Sequence, residues 1–451
     1  MTRFVTVNRD TDYLLPPSVD EWLPKDHLAR FVVDIVDQLD LSALTRQYRG
    51  TGSAAYHPAV MLGLLLYGYA TGVYSSRRIE AATYESIAFR YIAANTQPDH
   101  DSLCTFRKRF LKEIEVLFVQ VLDIARQMKL LKLGTIALDG TKIHANASRH
   151  SALSYGHAQK IEAQLEAEVK QLLARAEAAD QEPLPQGLSI PAELTRREER
   201  LAAIRQAKAQ IEARAAERDA QEKVEFDAKM KVREDKAARS GKKPGGKPPV
   251  PPPPGVRSSD QINLTDEDSR IMPAKGDGFE QSYNAQAAVD TQSMLVVAIN
   301  MAQAANDKQQ LEPILKALAG LPEALGCVKQ VLADNGYFSA ANVAHCVQAK
   351  IEPLLAAGRD RHHPHWEDRF IEPPPLSEPA SDVDRMKHQL KTIQGRALYA
   401  LRKQTVEPVF GIIKSIMRFR QFLLRGLAAV RGEWTLVTMA WNIKRMAVMA
   451  R

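Results

Sequence analysis

Three acidic residues have neighbours that suggest chemistry. Asp139 and Asp334 each follow a short β-rich run and precede a glycine, so each carboxylate is predicted at the end of a strand. Glu407 lies seven residues before Lys414 on a predicted helix, which places both side chains on one face of it. If the two strands are neighbours, the aspartates repel each other unless a hard cation lies between them. Mg²⁺ takes few protein carboxylates and completes its shell with water and phosphate, so these residues predict a magnesium site.

Charge indicates what such a site would act on. The chain has 451 residues, a formal net charge of +7 and 45% hydrophobic residues. This length allows about three folding units and excludes small disulfide scaffolds and fully disordered chains. Residues 395–451 contain eleven basic and two acidic residues, a local charge of +9. The basic tail predicts a polyanionic partner, nucleic acid before membrane, although a solvated helical face is the alternative.

Compartment and membrane association follow from the cysteines and the apolar runs. The three cysteines, Cys104, Cys327 and Cys346, lack the spacing of a zinc or thiol redox site, which indicates a reducing compartment. Residues 1–24 show no secretory signal, and the apolar run 59–70 is shorter than the ~20 residues of a membrane span. We therefore expect a cytoplasmic, nucleoid-associated protein with no membrane partner.

Residues 1–130 are predicted to form an all-helical, DNA-binding domain. Apolar spacing predicts helices over 28–39 and 60–69, and a further pair over 76–94 and 101–128, separated by turn residues. This pair is typical of a helix-turn-helix, in which Arg107, Lys108 and Arg109 would lie in the first turns of the second helix and contact DNA. A plain helical bundle with surface arginines is the alternative.

The rest of the chain is predicted to form an α/β core that is divided by an insertion. Residues 131–156 and 276–451 are predicted as its two segments, with strands over 134–139, 281–290, 294–301, 329–334 and 351–355 and helices over 306–318, 339–350 and from 382 onward. Because the first three strands follow one another without crossover helices, the sheet is predicted to be mixed. Residues 157–275 are an insertion: a charged helical hairpin broken at 180–191, then a stretch over 244–254 with seven prolines.

Four motifs resemble those of the DDE-type transposases of bacterial insertion sequences. They are Leu-Asp139-Gly-Thr-Lys, Tyr283-Asn-Ala-Gln-Ala-Ala-Val-Asp290, Ala-Asp334-Asn-Gly-Tyr, and Tyr399-Ala-Leu-Arg402 followed by Val-Glu407-Pro-Val-Phe-Gly-Ile-Ile-Lys414. The last motif is similar to the family's Tyr, Arg, Glu, Lys signature. The helical N-terminal segment from Tyr56 to Phe110 also resembles the domain that precedes the catalytic core in this family.

The resemblance implies specific roles for these residues. Asp139, Asp334 and Glu407 would form the catalytic, metal-binding triad on an RNase H-like fold, with Mg²⁺ as cofactor and Mn²⁺ as a substitute. Tyr399, Arg402 and Lys414 would contact DNA. Arg402 lies five residues before Glu407, whereas the family's usual spacing, one residue shorter, falls on Lys403, so both are candidates.

The activity implied is DNA transposition: binding of the terminal inverted repeats, metal-dependent cleavage, and transfer of the freed 3′ end to target DNA. Because two ends must meet in one complex, a homodimer on double-stranded DNA is expected, with the helical insertion as a candidate contact. Two alternatives share parts of the pattern. An RNase H-like endonuclease without strand transfer would keep the triad, and an inactive DNA-binding protein would keep the basic tail.

Overall fold

The computed structural model describes residues 5–11, 18–48, 50, 54–178, 189–240, 247–274, 278–358, 367, 370–377 and 379–451. They divide into two compact units, one formed by residues 1–146 and 270–451 and the other by residues 147–269. The predicted N-terminal helices therefore belong to the same unit as the predicted α/β core. The predicted insertion, 157–275, overlaps the second unit along most of its length.

The N-terminal part of the first unit is helical. Its described helices are α1 Leu28–Asp37, α2 Ser42–Thr45, α3 Pro58–Thr71, α4 Ser76–Glu85, α5 Ile87–Ile92, α6 His100–Arg109 and α7 Leu111–Gln127. Helix α3 begins at Pro58, where a missing N–H costs nothing, and ends at Gly72, whose φ of 85° is left-handed. Most of its side chains are buried, which confirms the prediction of a buried helix in this apolar run.

The two long helices predicted for the helix-turn-helix are wrong. The first is divided at Ser86, whose extended backbone separates α4 from α5. The second is divided at Phe110, which is fully buried and starts α7 in a new direction from a non-helical backbone conformation. Arg107, Lys108 and Arg109 consequently lie in the last turn of α6, not in the first turns of a recognition helix.

The sheet of the first unit is mixed. Its described strands are β1 Leu133–His144, β4 Arg270–Pro273, β5 Phe279–Asp290, β6 Val296–Ala302, β7 Gly326–Ala333 and β8 Glu352–Leu355. The order is β4-β5-β1-β7-β8, with β6 also paired to β5. Strands β1, β5 and β6 are antiparallel neighbours, whereas β7 and β8 run parallel to β1. The predicted RNase H-like mixed sheet is confirmed.

Strand β1 is longer than predicted, and Asp139 lies in its middle instead of at its end. The glycine after Asp139 does not stop the strand, because β5 continues to pair with β1 as far as His144. Parallel pairing with β7 stops one residue before Asp139, at Leu138 and Ala333. Asp139 therefore marks the end of one ladder inside a continuous strand.

Helices cover the sheet. They are α10 Leu311–Ala319, α11 Ala340–Gln348, α12 Asp382–Gln389, α13 Ile393–Ser415 and α14 Leu427–Met449. Helix α13 packs on β1, β5 and β7, and the mostly buried α14 packs on β6 and on α1, α3 and α7. Helix α10 begins at Leu311, five residues after the start predicted at residue 306. Asp307, which precedes the helix, accepts hydrogen bonds from the side chains of Asn284 and Gln286.

The second unit is a helical hairpin, as predicted for the insertion. Helices α8 Tyr155–Ala178 and α9 Ile190–Ser240 pack through buried aliphatic side chains such as Leu165 and Ile204. Two short strands, β2 Ala152–Ser154 and β3 Gln261–Asn263, form a small antiparallel sheet that the sequence did not predict. Residues 247–254 of the proline-rich stretch are neither helix nor strand. Of the hairpin break predicted at 180–191, residues 180–188 lie outside the described residues, and α9 begins at Ile190, before the predicted end of the break.

The length and apolarity of the described helices determine whether one of them could span a membrane. None of them alone is long and apolar enough to cross a membrane. Helices α3 and α4 reach that length and apolarity only as a pair, and they are bent by 96° at the break between them.

Candidate active site

Strand register brings Asp139 and Asp334 together. The parallel ladder between β1 and β7 ends with Leu138 opposite Ala333. The residue after Leu138 and the residue after Ala333 are both aspartates. Asp139 and Asp334 therefore lie at the same level of two adjacent strands. The two strands are thus neighbours, which was the condition for placing these carboxylates side by side, although Asp139 reaches that position from mid-strand.

Local hydrogen bonds hold both aspartates. Asp334 Oδ1 accepts from the backbone N–H of Gly336 at 2.8 Å and thereby caps the single 3₁₀ turn Asn335–Tyr337. Asp139 Oδ1 accepts from the N–H of Gly140 at 2.8 Å. One oxygen of each carboxylate is therefore fixed by backbone, which limits the orientations of the other oxygen.

Glu407 joins the site through Arg402. Both residues lie on α13, the helix packed across β1 and β7. Arg402 Nη1 donates to Asp139 Oδ2 at 3.4 Å, and its Nη2 donates to Glu407 Oε1 at 3.2 Å. The Arg402 side chain is 10% exposed, that of Asp139 19% and that of Glu407 51%. A buried guanidinium thus lies between a buried acid of the sheet and a half-exposed acid of the helix.

The electrostatics of Asp139 are unusual for a surface-accessible acid. The pKa of Asp139 is raised from its ordinary 3.8 to about 7, chiefly by burial and also by the neighbouring Asp334 and Asp307. The N–H of Gly140 and the charge of Arg402 act in the opposite direction. Negative charge is therefore costly at this point of the fold, and a cation would relieve that cost.

The donor set fits a hard divalent cation. The acids supply oxygen ligands alone, and their mutual repulsion is what such a cation neutralises. In the conformation described, no three His, Cys, Asp or Glu side chains among the described residues lie close enough to hold a metal ion. The Arg402 guanidinium lies between Asp139 and Glu407, where it partly neutralises both carboxylates.

A fourth acid, Asp307, lies beside this cluster and was missed from the sequence. It follows β6 in a loop, and it is close enough to Asp139 and Tyr337 to affect the pKa of each. The sequence pattern pointed elsewhere, because an Asn-Asp pair before an apolar periodic segment is typical of a helix cap. Asn284 and Gln286 are two amides on the same face of β5, and Gln286 lies opposite Gly140 of β1. This pair of amides was the available sign that a polar group packs against β5.

Comparison with protein families matched two parts of the chain. Residues 17–109 match a family described as a transposase domain (DUF772), and residues 259–443 match one described as a transposase DDE domain. Together the matches cover more than half of the chain. The chain belongs to the DDE-type insertion-sequence transposases. Comparison with curated proteins and with solved structures gave no match.

The matched parts of the transposase contain most of the site. Asp334, Glu407 and Asp307 lie within the DDE match, whereas Asp139 lies in the interval between the two matches, as does most of the helical insertion. The register of β1 with β7 therefore places Asp139 in the site independently of the family match.

The basic and aromatic residues predicted to contact DNA lie around α13. Lys403 is exposed and Tyr399 half-buried. Lys414 Nζ donates to the backbone oxygen of Lys142 at 2.8 Å, which ties the end of α13 to β1. Arg402 is directed at the acids of the transposase, as described above, instead of outward.

The burial of Arg107 does not fit the predicted contact with DNA. It is 5% exposed, and its Nη1 donates to the hydroxyl of Tyr69 at 3.1 Å and to the backbone oxygen of Tyr74 at 3.2 Å. A guanidinium buried in this way is not available to DNA in this structure. Lys108 and Arg109 are exposed, and Arg109 also lies over the rings of Tyr48 and Phe110.

Proposed function

We propose that this transposase binds the ends of its element, cleaves the phosphodiester bond there and transfers the freed 3′ end to target DNA. The observation that carries the proposal is that Arg402 lies between the acids of the sheet and the acid of α13. Asp139 and Asp334 lie at the same level of adjacent strands, and Arg402 connects Asp139 to Glu407. Acids gathered in this way beside a basic surface suit the binding of a cation and a phosphate together.

Asp139, Asp334 and Glu407 would hold the divalent cation. When bound, Mg²⁺, or Mn²⁺ in its place, supplies Lewis-acid stabilisation of the charge that develops on phosphate oxygens. The backbone N–H groups of Gly140 and Gly336 keep the two aspartates oriented. Arg402 neutralises Asp139 and Glu407, and its charge lies where a phosphate would add further negative charge.

DNA contacts are proposed on two basic surfaces. Lys403 and Lys414 lie on α13 with Glu407, so they are placed for phosphates near the scissile bond. Lys108 and Arg425 line a groove of about 430 Å³ beside Asn146, which extends basic surface from α6 toward the C-terminal helices. Phosphate contacts of this kind give affinity without reading sequence. Arg109, the residue after Lys108 on α6, is exposed as well.

The homodimer, the nucleoid location and the role of the helical insertion as an assembly contact remain predictions from the sequence. Each can be addressed with the same DNA complex that tests the catalytic proposal.

The proposal is tested with purified transposase, labelled DNA carrying the terminal inverted repeats, and an unlabelled target duplex. Wild-type protein with Mg²⁺ is expected to cut at the repeat and join the cut end to the target. Asp139→Asn, Asp334→Asn and Glu407→Gln are expected to bind the repeat and cut it at least 100-fold more slowly, in line with the loss of a catalytic group.

The alternatives correspond to different results. Cleavage by the wild type without joining would identify an endonuclease and would overturn strand transfer. Binding without Mg²⁺-dependent cleavage would identify a DNA-binding protein. Full cleavage by one acid variant would remove that residue from the site.

A further inference from the structure

We infer that Asp307 is a positioning residue of the acidic site, which acts through Gln286 on the turn that carries Asp334. The inference rests on the proposed function in one respect, namely that Asp139 and Asp334 hold a divalent cation. Its structural part, the control of the Asp334 turn, stands on hydrogen bonds between residues far apart in the sequence.

Asp307 orients two buried amides of β5. Its Oδ1 accepts from Asn284 Nδ2 at 2.8 Å and from Gln286 Nε2 at 2.7 Å. Asn284 is 2% exposed and Gln286 0%. An ionised carboxylate only accepts hydrogen bonds, so it turns the NH₂ group of each amide toward itself. The carbonyl oxygen of Gln286 is consequently directed away from Asp307.

That oxygen reaches the turn after β7. Gln286 Oε1 accepts a hydrogen bond from the hydroxyl of Tyr337, which is fully buried and closes the turn that begins at Asp334. A phenol needs an acceptor when it is buried, and the amide offers one only while Asp307 holds its NH₂ group. Asp307, Gln286 and Tyr337 therefore form one relay from the loop to the Asp334 turn.

Asn342 ties the same loop to the same turn by a second route. Its Nδ2 donates to the backbone oxygen of Lys308 at 2.8 Å and to that of Tyr337 at 2.6 Å. Asn342 is 4% exposed, so both bonds are shielded from water. The loop and the turn are thus joined at side chains and at backbone, and a change in one is transmitted to the other.

Glycines make this close packing possible. A β-carbon at residue 140 would lie 2.6 Å from Asp307 Oδ1 and 2.7 Å from Asn284 Oδ1. A β-carbon at residue 336 would lie 2.9 Å from Asp334 Oδ1 and 3.4 Å from Asp307 Oδ2. A β-carbon at residue 140 would therefore displace Asp307 or the amides that it binds, whereas one at residue 336 would meet Asp334 first and Asp307 only at contact distance.

The test separates positioning from direct cation binding by comparing two substitutions. Asp307→Asn keeps an oxygen that accepts from both amides, whereas Asp307→Ala removes it. Asp290→Ala is the matched control, because Asp290 is a buried aspartate at the other end of β5 whose Oδ2 accepts from the N–H and the hydroxyl of Ser293. The full-length chain is used throughout.

Two measurements are made on each variant. Hydrogen exchange of the peptide covering residues 334–338 reports on the turn, and Mn²⁺ affinity by electron paramagnetic resonance reports on the site. Asp307→Ala is expected to exchange faster there and to bind Mn²⁺ about 10- to 100-fold more weakly, as is typical when a partner of a metal ligand is removed. Asp307→Asn is expected to stay within about threefold of wild type, and Asp290→Ala to leave both readouts unchanged.

Several results would overturn the inference. Equal loss of Mn²⁺ affinity in Asp307→Asn and Asp307→Ala, with unchanged exchange, would make Asp307 a direct ligand. Unchanged exchange of the turn in Asp307→Ala would remove the positioning role. If wild-type protein binds no Mn²⁺, the proposed function fails, and the exchange measurement alone still decides whether Asp307 controls the turn.

Discussion

Glu433 and Asp139 are two buried carboxylates of the same compact unit with opposite surroundings. Glu433 is 0% exposed, and both of its oxygens accept hydrogen bonds: Oε1 from the Tyr69 hydroxyl at 2.7 Å, and Oε2 from the N–H groups of Leu423 and Leu424 at 2.9 and 3.0 Å. Asp139 has one backbone donor, a longer contact of 3.4 Å to Arg402, and two other aspartates nearby.

The difference shows what each carboxylate does. Burial raises the pKa of Glu433, but Arg107 and the surrounding donors oppose that shift, so the charge is compensated within the fold. Its donors come from α3 and from the segment before α14, so Glu433 fastens the helical region to the core. Around Asp139, neighbouring acids add to the effect of burial on the pKa. A carboxylate surrounded by donors stabilises structure, and one surrounded by acids requires a ligand.

The largest effect on stability is expected from Glu433→Ala. The change leaves the Tyr69 hydroxyl and two backbone N–H groups without their acceptor and the buried Arg107 without its counter-charge, which should cost about 3 to 5 kcal/mol of unfolding free energy. Urea unfolding followed by the fluorescence of the adjacent buried Trp434 measures it. Glu433→Gln, which keeps one acceptor oxygen, should lose less. A loss below about 1 kcal/mol in Glu433→Ala would mean that the cluster is not structural.

Asp139→Asn is expected to act on stability in the opposite direction. The pKa of Asp139 is raised from 3.8 to about 7 in the folded state. Between these values the folded state binds more protons than the unfolded state, so the free energy of unfolding falls as pH rises through this window. The asparagine removes that fall. In the absence of divalent cations the variant should be more stable than wild type at pH 8, by up to about 4 kcal/mol, and similar to it at pH 4.

The measurement is thermal unfolding of both proteins in EDTA from pH 4 to pH 8. Asp290→Asn serves as a control, since Asp290 is also shielded from water but lies at the far end of β5, where Ser293 donates to it. Parallel pH profiles for wild type and Asp139→Asn would show that Asp139 carries no penalty, and the contrast with Glu433 would be lost.

The smallest effect is expected from Lys108, which differs from its neighbour Arg107 in the same way that Asp139 differs from Glu433: one residue has partners within the fold, and the other is free to bind a ligand. Arg107 donates to Tyr69 within the Glu433 cluster, whereas Lys108 is exposed and lines the groove with Arg425. Lys108→Ala should leave stability unchanged and lower the slope of log K against log salt for repeat DNA by about one unit. Binding isotherms at several salt concentrations measure this slope. An unchanged slope would place the DNA contact elsewhere.

Much of the catalytic part was accessible from the sequence. Strand alternation, the crossover helices and the turn after Asp334 predicted the mixed sheet and the acid at the end of β7, and the spacing on α13 predicted Glu407. These features are local, because each depends on residues a few positions apart. The order of the strands within the sheet was not predicted, because it depends on pairing between distant segments.

What could not be predicted depends on distant partners. Arg107 reads as a surface residue until α14 brings Glu433 to its neighbour Tyr69. Strand β1 continues past Gly140 because β5 pairs with it, and no residue near Gly140 signals this. Asp307 resembles a helix cap until folding places Asn284 and Gln286 against it. In each case a tertiary contact overrides a local pattern.

The central claim is that the acids around Asp139 hold a divalent cation for phosphodiester cleavage. It is tested most directly by single-turnover cleavage of terminal-repeat DNA during a Mg²⁺ titration, with wild type and Asp139→Asn compared at equal DNA occupancy. We expect saturable Mg²⁺-dependent cleavage by wild type and none by the folded, DNA-bound variant. Cleavage by Asp139→Asn at the wild-type rate and with the same Mg²⁺ dependence would contradict it.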